Sequence, residues 1–362
     1  MTGLDELPLR ADLIGQQPYG APQHRVPVAL NVNENSHPMP AEVADDIVAH
    51  LAEVVPTLGR YPDREFTTLR ESLAAYLGHG IEPGQVWAGN GSNEVIQHVL
   101  QAFGGPGRRV VGFTPTYSMY PLITTGTGAE WVGVPRHADF TVDVQLALSA
   151  IEEHAPAVTF FCAPNNPTGT VQKLDAVEAA YDATDGIVIV DEAYFEFMPA
   201  GSRSALELLD GRPRLVVLRT MSKAFAFAGA RVGYLAADPA VIDALRLVRL
   251  PYHLSSLTQA AADAVLSHAD AMLAVVHDIV TQRDRITVTL SGLGYSPAPS
   301  GTNFVLFGGV ADPQATFRTL LQHGILIRDV GIPNALRVTA GTAEETSAFL
   351  DAIARIPPRA RV

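Results

Sequence analysis

The sequence predicts an α/β protein whose larger part is built on a mostly parallel central sheet, followed by a smaller α+β unit. Three observations carry this. From about residue 86 to 236, short apolar, β-branched runs alternate with longer amphipathic stretches, the pattern of parallel strands joined by crossover helices. After about residue 240 that alternation gives way to a long helical stretch, two apolar runs and a final helix. The 362 residues, at roughly 150 per domain, leave room for about two units and a large buried core.

The elements follow in order. Residues 1–40 carry six of the 26 prolines in a polar stretch and read as an arm lying over a surface, with Tyr19, Val28 and Leu30 to bury. Residues 41–240 read as the large domain, with strands expected at 109–113, 130–134, 157–162, 186–190, 214–218 and 232–236 and helices beginning near Ser92, Tyr117, Asp143, Lys173 and Ala240. Residues 241–362 read as the small domain, with one long helix over 258–290, apolar runs at 303–307 and 324–327, and a last helix over 343–354.

Composition narrows the function classes. The chain is 47% hydrophobic and 17% charged, and no apolar run approaches the roughly 20 residues that cross a bilayer, so no membrane is expected. A net charge of −13 sets a field that repels nucleic-acid phosphates, so nucleic acid is not an expected partner. The lone Cys162 makes neither an internal bridge nor a thiolate metal site, and the first residues lack a basic-then-apolar signal pattern. A reducing cytoplasm and no metal are expected.

Of the 25 bases only Lys173 and Lys223 are lysines, so chemistry that needs a side-chain primary amine has two candidates. Lys223 lies in RTMSKAF just past an expected strand's carboxyl end, where open α/β sheets bind ligands. A lysine there can form a Schiff base by losing its proton, which a guanidinium cannot do. Lys173, after a turn, fits an ordinary surface lysine. In IVIVDEAYFEF a strand ends in Asp191, with Tyr194 three positions on: a carboxylate able to pair with a protonated ring nitrogen and a phenol able to bond a phenolate oxygen. Helix N-capping by Asp191 is the plainer alternative. APNNPTGT, with Asn165 and Asn166, sits at a third strand end. In GNGSNEVI two glycines lead into Ser92 at a helix start, an anion site by its free N–H groups and dipole.

In their order along the chain, with PTYSMY at 115–120 and a late arginine, these segments resemble the aspartate-aminotransferase superfamily of pyridoxal-phosphate enzymes, fold type I, over nearly the whole chain. LNVNENSHP, RYPD, RTMSKAFAFAGARVGY, LIRDVG and LRVTAG look most like the histidinol-phosphate aminotransferases of actinobacteria. The resemblance implies that pyridoxal 5'-phosphate is held as a Schiff base by Lys223, which also shuttles the proton at the substrate. Asp191 would keep the pyridine nitrogen protonated, Asn166 and Tyr194 would bond the ring oxygen, and Tyr117 would stack on the ring. Ser92 and Asn93, with Thr220, Ser222 and Arg231, would cradle the phosphate. Arg337 matches the arginine that forks onto an α-carboxylate, and Arg328 the one that faces the substrate phosphate or glutamate's distal carboxylate. Tyr19 and Tyr252 look like pocket-wall residues, and Tyr61 resembles the phenol contributed across a homodimer interface.

The implied activity exchanges an amino group between histidinol phosphate and 2-oxoglutarate, yielding glutamate, in histidine biosynthesis. Aromatic aminotransferases that prefer phenylalanine share most of these motifs, because a pocket for imidazole also holds a phenyl ring. A decarboxylase branch acting on threonine phosphate shares the fold. A regulatory protein that binds the cofactor without turnover is the alternative from another class, though neither an appended DNA-binding helix pair nor a basic patch supports it.

Overall fold

Strands buried on both faces of a sheet must be apolar along their whole length, and the central runs of this chain meet that demand. In the computed structural model, which describes residues 6–359, the strands in chain order are β1 (Val28–Ala29), β2 (Val86–Asn90), β3 (Arg109–Thr114), β4 (Glu130–Pro135), β5 (Val158–Cys162), β6 (Ile187–Asp191), β7 (Leu215–Thr220), β8 (Val232–Ala237), β9 (Ser296–Pro297), β10 (Phe304–Gly308), β11 (Ile325–Leu326) and β12 (Leu336–Thr339). Every residue of β5, β6, β7 and β8 is buried. Seven strands form the main sheet in the order β2-β8-β7-β6-β5-β3-β4. All run parallel except β8, which is antiparallel to both its neighbours.

Helices Ser92–Phe103, Val144–His154 and Leu174–Ala183 connect these strands and bury their apolar faces in the core. The second starts where Asp143 accepts the Leu146 N–H at 2.8 Å, an N-cap visible in the sequence. Strand β2, the first of the main sheet, lies outside the strands read from sequence. Its two closing residues, Gly89 and Asn90, lead into Gly91 and resemble a turn, and pairing with β8 keeps them extended.

The expected long helix over 258–290 is three helices, Ser256–Ser267, Ala269–Ala274 and Val276–Gly292. The chain turns by 72° at His268, whose Nε2 lies 3.0 Å from Asp46 Oδ2. The first piece packs on helix Ala41–Val54, and the last on strands β9 and β10. With no glycine or proline at the break, tertiary packing sets the bend. No single helix among the described residues is long and apolar enough to cross a membrane.

The apolar runs near 303–307 and 324–327 become β10 and β11. A small antiparallel sheet orders β12-β10-β9, while β11 pairs in parallel with β1 of the arm. That pairing draws Leu30, Asn31 and Asn33 into the interior. Tyr19, upstream, keeps 53% of its surface exposed.

Candidate active site

The carboxyl ends of β5, β6 and β7 open on one cavity of about 470 Å³, of the size that holds small ligands. It lies where the strand order reverses, with the arm and β12 closing the opposite wall. Of the residues singled out from sequence, it gathers Tyr19, Ser92, Asn93, Tyr117, Asn166, Asp191, Tyr194, Thr220, Ser222, Lys223, Arg231, Arg328 and Arg337. Tyr61 and Tyr252 are outside it. They stack on each other at 4.5 Å between ring centroids, on the protein surface.

Lys223 reaches the cavity from the turn after β7, its Nζ donating to the Val32 carbonyl at 3.1 Å. Burial and then the charge of Arg337 lower its pKa to about 8. The amine is therefore closer to its nucleophilic neutral form than a surface lysine is. Asp191 closes β6 and is buried. One carboxylate oxygen accepts the Tyr120 hydroxyl at 2.6 Å and the other the Ala193 N–H at 3.1 Å. Burial raises its pKa to about 6 against the lowering effect of those bonds. A cationic N–H arriving from the cavity would relieve that cost.

The anion cup is built by close backbone approach. Gly91 precedes helix Ser92–Phe103 at φ +81°, and a Cβ there would meet the Arg231 guanidinium at 2.5 Å. A Cβ on Gly233 would lie 2.0 Å from the Ser92 nitrogen. These two glycines let the helix N-terminus, its first N–H groups and Arg231 converge. Thr220 accepts the Ser222 N–H at 3.2 Å and holds the turn. Tyr117 donates to Asn93 Oδ1 at 3.1 Å, which fixes its ring beside the cup.

On the opposite wall, Arg337 of β12 is buried and donates to the Asn31 carbonyl at 2.9 Å and to Asn166 Oδ1. Its Nε has no partner among the described residues. Burial lowers its pKa to about 10. Arg328 pairs with Arg337 through the backbone, N–H to carbonyl at 2.9 Å in both directions, and stays half-buried beside the Tyr19 ring. Its sequence neighbour Asp329 accepts the Gly331 N–H instead of pairing with it. Asn165, next to Asn166, turns away and clamps the loop through Arg136, Pro115 and Thr168.

Two functional neighbours escaped the sequence reading. Tyr120 stands one helical turn after Tyr117, and that spacing was the available signal. Asn33, in a left-handed conformation at φ 59°, donates to the Tyr194 hydroxyl at 2.8 Å, a placement the sequence alone did not signal.

The set suits a ligand with an aldehyde for Lys223, a basic ring nitrogen for Asp191, a ring oxygen for Tyr194 and a phosphate for the cup. The model of the aminotransferase class I and II family matches residues 25–353. The histidinol-phosphate aminotransferase of Paenarthrobacter aurescens is 58% identical over 353 residues, 97% of this chain and 95% of that one. Its counterpart in Thermobifida fusca is 54% identical over 357 residues, 99% and 97% of the two chains. The crystal structure of histidinol-phosphate aminotransferase from Sinorhizobium meliloti, in complex with pyridoxal-5'-phosphate, matches with a TM-score of 0.81 at 26% identity, over 91% of this chain and 90% of that one.

Proposed function

This chain belongs to the class I and II aminotransferases, and on that premise we propose that it moves an amino group between L-histidinol phosphate and 2-oxoglutarate, a step of L-histidine biosynthesis. Pyridoxal 5'-phosphate, held in the cavity, supplies an aldehyde that carries the amino group and a ring that draws electrons from the substrate Cα. The rest falls to the chain. Lys223 would hold the cofactor through its amine, and would hold and return the proton at the substrate Cα. Asp191 would keep the ring nitrogen protonated, Asn166 and Tyr194 would bond the ring oxygen, and Tyr117 would lie against the ring. Ser92, Asn93, Thr220, Ser222 and Arg231 take the phosphate.

Arg337 forks onto the α-carboxylate of glutamate, and Arg328, with Tyr19 beside it, takes glutamate's distal carboxylate or the phosphate of histidinol phosphate. The observation that carries this reading is one cavity holding an amine of lowered pKa, a buried carboxylate and two arginines, Arg328 and Arg337, that form no ion pair among the described residues. Leu58, Tyr61, Leu250 and Tyr252 leave apolar surface exposed, which supports a homodimer in which Tyr61 and Tyr252 complete a site. The buried, unpaired thiol of Cys162 goes with a reducing cytoplasm.

Rates with histidinol phosphate and with phenylalanine, each paired with 2-oxoglutarate, test the assignment. A higher kcat/KM for histidinol phosphate is expected. A preference for phenylalanine would assign an aromatic aminotransferase instead, and release of carbon dioxide in place of glutamate would point to the decarboxylase branch.

A further inference from the structure

Among the described residues the Tyr194 hydroxyl has one hydrogen-bond partner, the side chain of Asn33. Which of the two donates is set by neighbours farther away. The Asn33 backbone N–H, which can only donate, points at Thr339 Oγ1 over 3.1 Å. Having accepted there, the Thr339 hydroxyl turns its own proton to the Asn33 side-chain oxygen, 3.3 Å away. The other end of that amide is therefore its NH2 group, and this is what donates to Tyr194. The Tyr194 proton is left for the cavity.

Nothing in this array is free to turn over. Asn33, Tyr194 and Thr339 are 2%, 4% and 2% exposed, and the Asn33 carbonyl accepts from the fully buried Asn303 at 3.1 Å. The Tyr194 ring is held edge-on to Phe304 at 5.3 Å.

We propose that Asn33 and Thr339 are positioning residues that set the direction of the Tyr194 hydroxyl, so that its proton is presented to the ring oxygen of the cofactor. This rests on the role given to Tyr194 above and extends it to the arm and to β12. Arg337 stands two residues before Thr339 on the same face of that strand, so one strand positions both the carboxylate anchor and the far end of the relay.

The test reads the visible absorbance of bound cofactor in the holoenzyme as a function of pH. An anionic ring oxygen that loses a donor leaves the cofactor-bound nitrogen holding its proton more tightly. Tyr194→Phe should therefore raise the midpoint, by about one unit. Asn33→Ala should raise it in the same direction, and Thr339→Val by less. In a Tyr194→Phe background Asn33→Ala should add nothing, since its effect passes through the hydroxyl. Arg337, Tyr117, Cys162 and Lys223 are the charged and titratable groups facing Tyr194, and these substitutions leave them in place.

If Tyr194→Phe moves the midpoint and Asn33→Ala does not, or if Asn33→Ala moves it equally in both backgrounds, the relay is overturned and the Tyr194 assignment survives. If Tyr194→Phe itself leaves the midpoint in place, that assignment falls and takes the relay with it. Should Asn33→Ala lose the cofactor, Thr339→Val, nearly isosteric, is judged by the same outcomes.

Discussion

Behind the end of the sheet and in front of it, two arginines are withdrawn from water to the same degree, yet the chain treats them in opposite ways. Arg219, 5% exposed, donates to Glu192 at 2.7 Å and Glu196 at 3.2 Å and lies over the Phe195 ring. Those carboxylates outweigh burial and raise its pKa. Arg337, 7% exposed, has a carbonyl and an amide for partners, and burial lowers its pKa. The carboxylates divide in the same way. Glu192 pairs with Arg219, whereas Asp191, one residue earlier and so on the other face, has a hydroxyl and a backbone N–H for partners and no cation among the described residues. A buried charge without its counter-ion is costly and persists where a ligand supplies the missing charge. The rear face is thus finished structure, and the front face is a receptor.

The comparison is broken most directly at the amine. Lys223→Ala should abolish the visible absorbance of bound cofactor and cut turnover on the order of 10⁴-fold, the upper range for loss of a positioned acid–base group. Lys173→Ala, at the start of helix Leu174–Ala183 and remote from the cavity lining, should leave both intact. The reverse pattern would remove the site from this cavity. Next comes stability. Arg219→Met strands two buried carboxylates and should cost about 3–5 kcal/mol in unfolding of the cofactor-free chain, whereas Arg337→Met should be neutral or stabilising. Equal losses for the two would erase the distinction between rear and front. Kinetically the order reverses: Arg337→Gln should lower kcat/KM for glutamate by about 10² to 10³, the scale of a lost buried charge pair. Histidinol phosphate, which has no carboxylate, should suffer far less.

The front face was legible in the sequence because its residues close strands or open a helix, and strand ends can be read from apolar runs. Asp191 closes a strand, Ser92 opens a helix, and Lys223 lies in the turn just past a strand. The rear network was not legible, since Arg219, Glu192 and Glu196 look like any surface charges until the end of β7, the residue after β6 and the short helix Phe195–Phe197 bring them together. Tyr120 touches the site through Asp191, and Asn33 lines it from the arm and bonds Tyr194; pairing of that sort leaves no periodic trace. The turn at His268 escaped for the same reason: it is set by packing against helix Ala41–Val54, including the contact to Asp46, more than two hundred residues away. Tyr61 and Tyr252 carry a resemblance that one chain alone does not bring to its own cavity.

The smallest effect sharpens the comparison through pH. With Lys223 lowered to about 8 by burial and then by Arg337, capture of pyridoxal 5'-phosphate by the cofactor-free chain should accelerate as pH rises, with a midpoint near 8. Only the neutral amine attacks the aldehyde. Stopped-flow absorbance gives that midpoint. Arg337→Gln removes the second cause and should move it upward by a fraction of a unit, leaving the larger effect of burial in place. The same ionisation marks stability. In the unfolded chain the amine keeps its proton to the ordinary lysine range, whereas in the folded chain it loses it near 8. Between those values the unfolded state binds more protons, so the cofactor-free protein should gain stability as pH rises through this window. A capture midpoint in the ordinary lysine range, with no gain in stability, would mean that the amine is solvated, and that the front face lacks the unpaid charge that sets it apart from the rear.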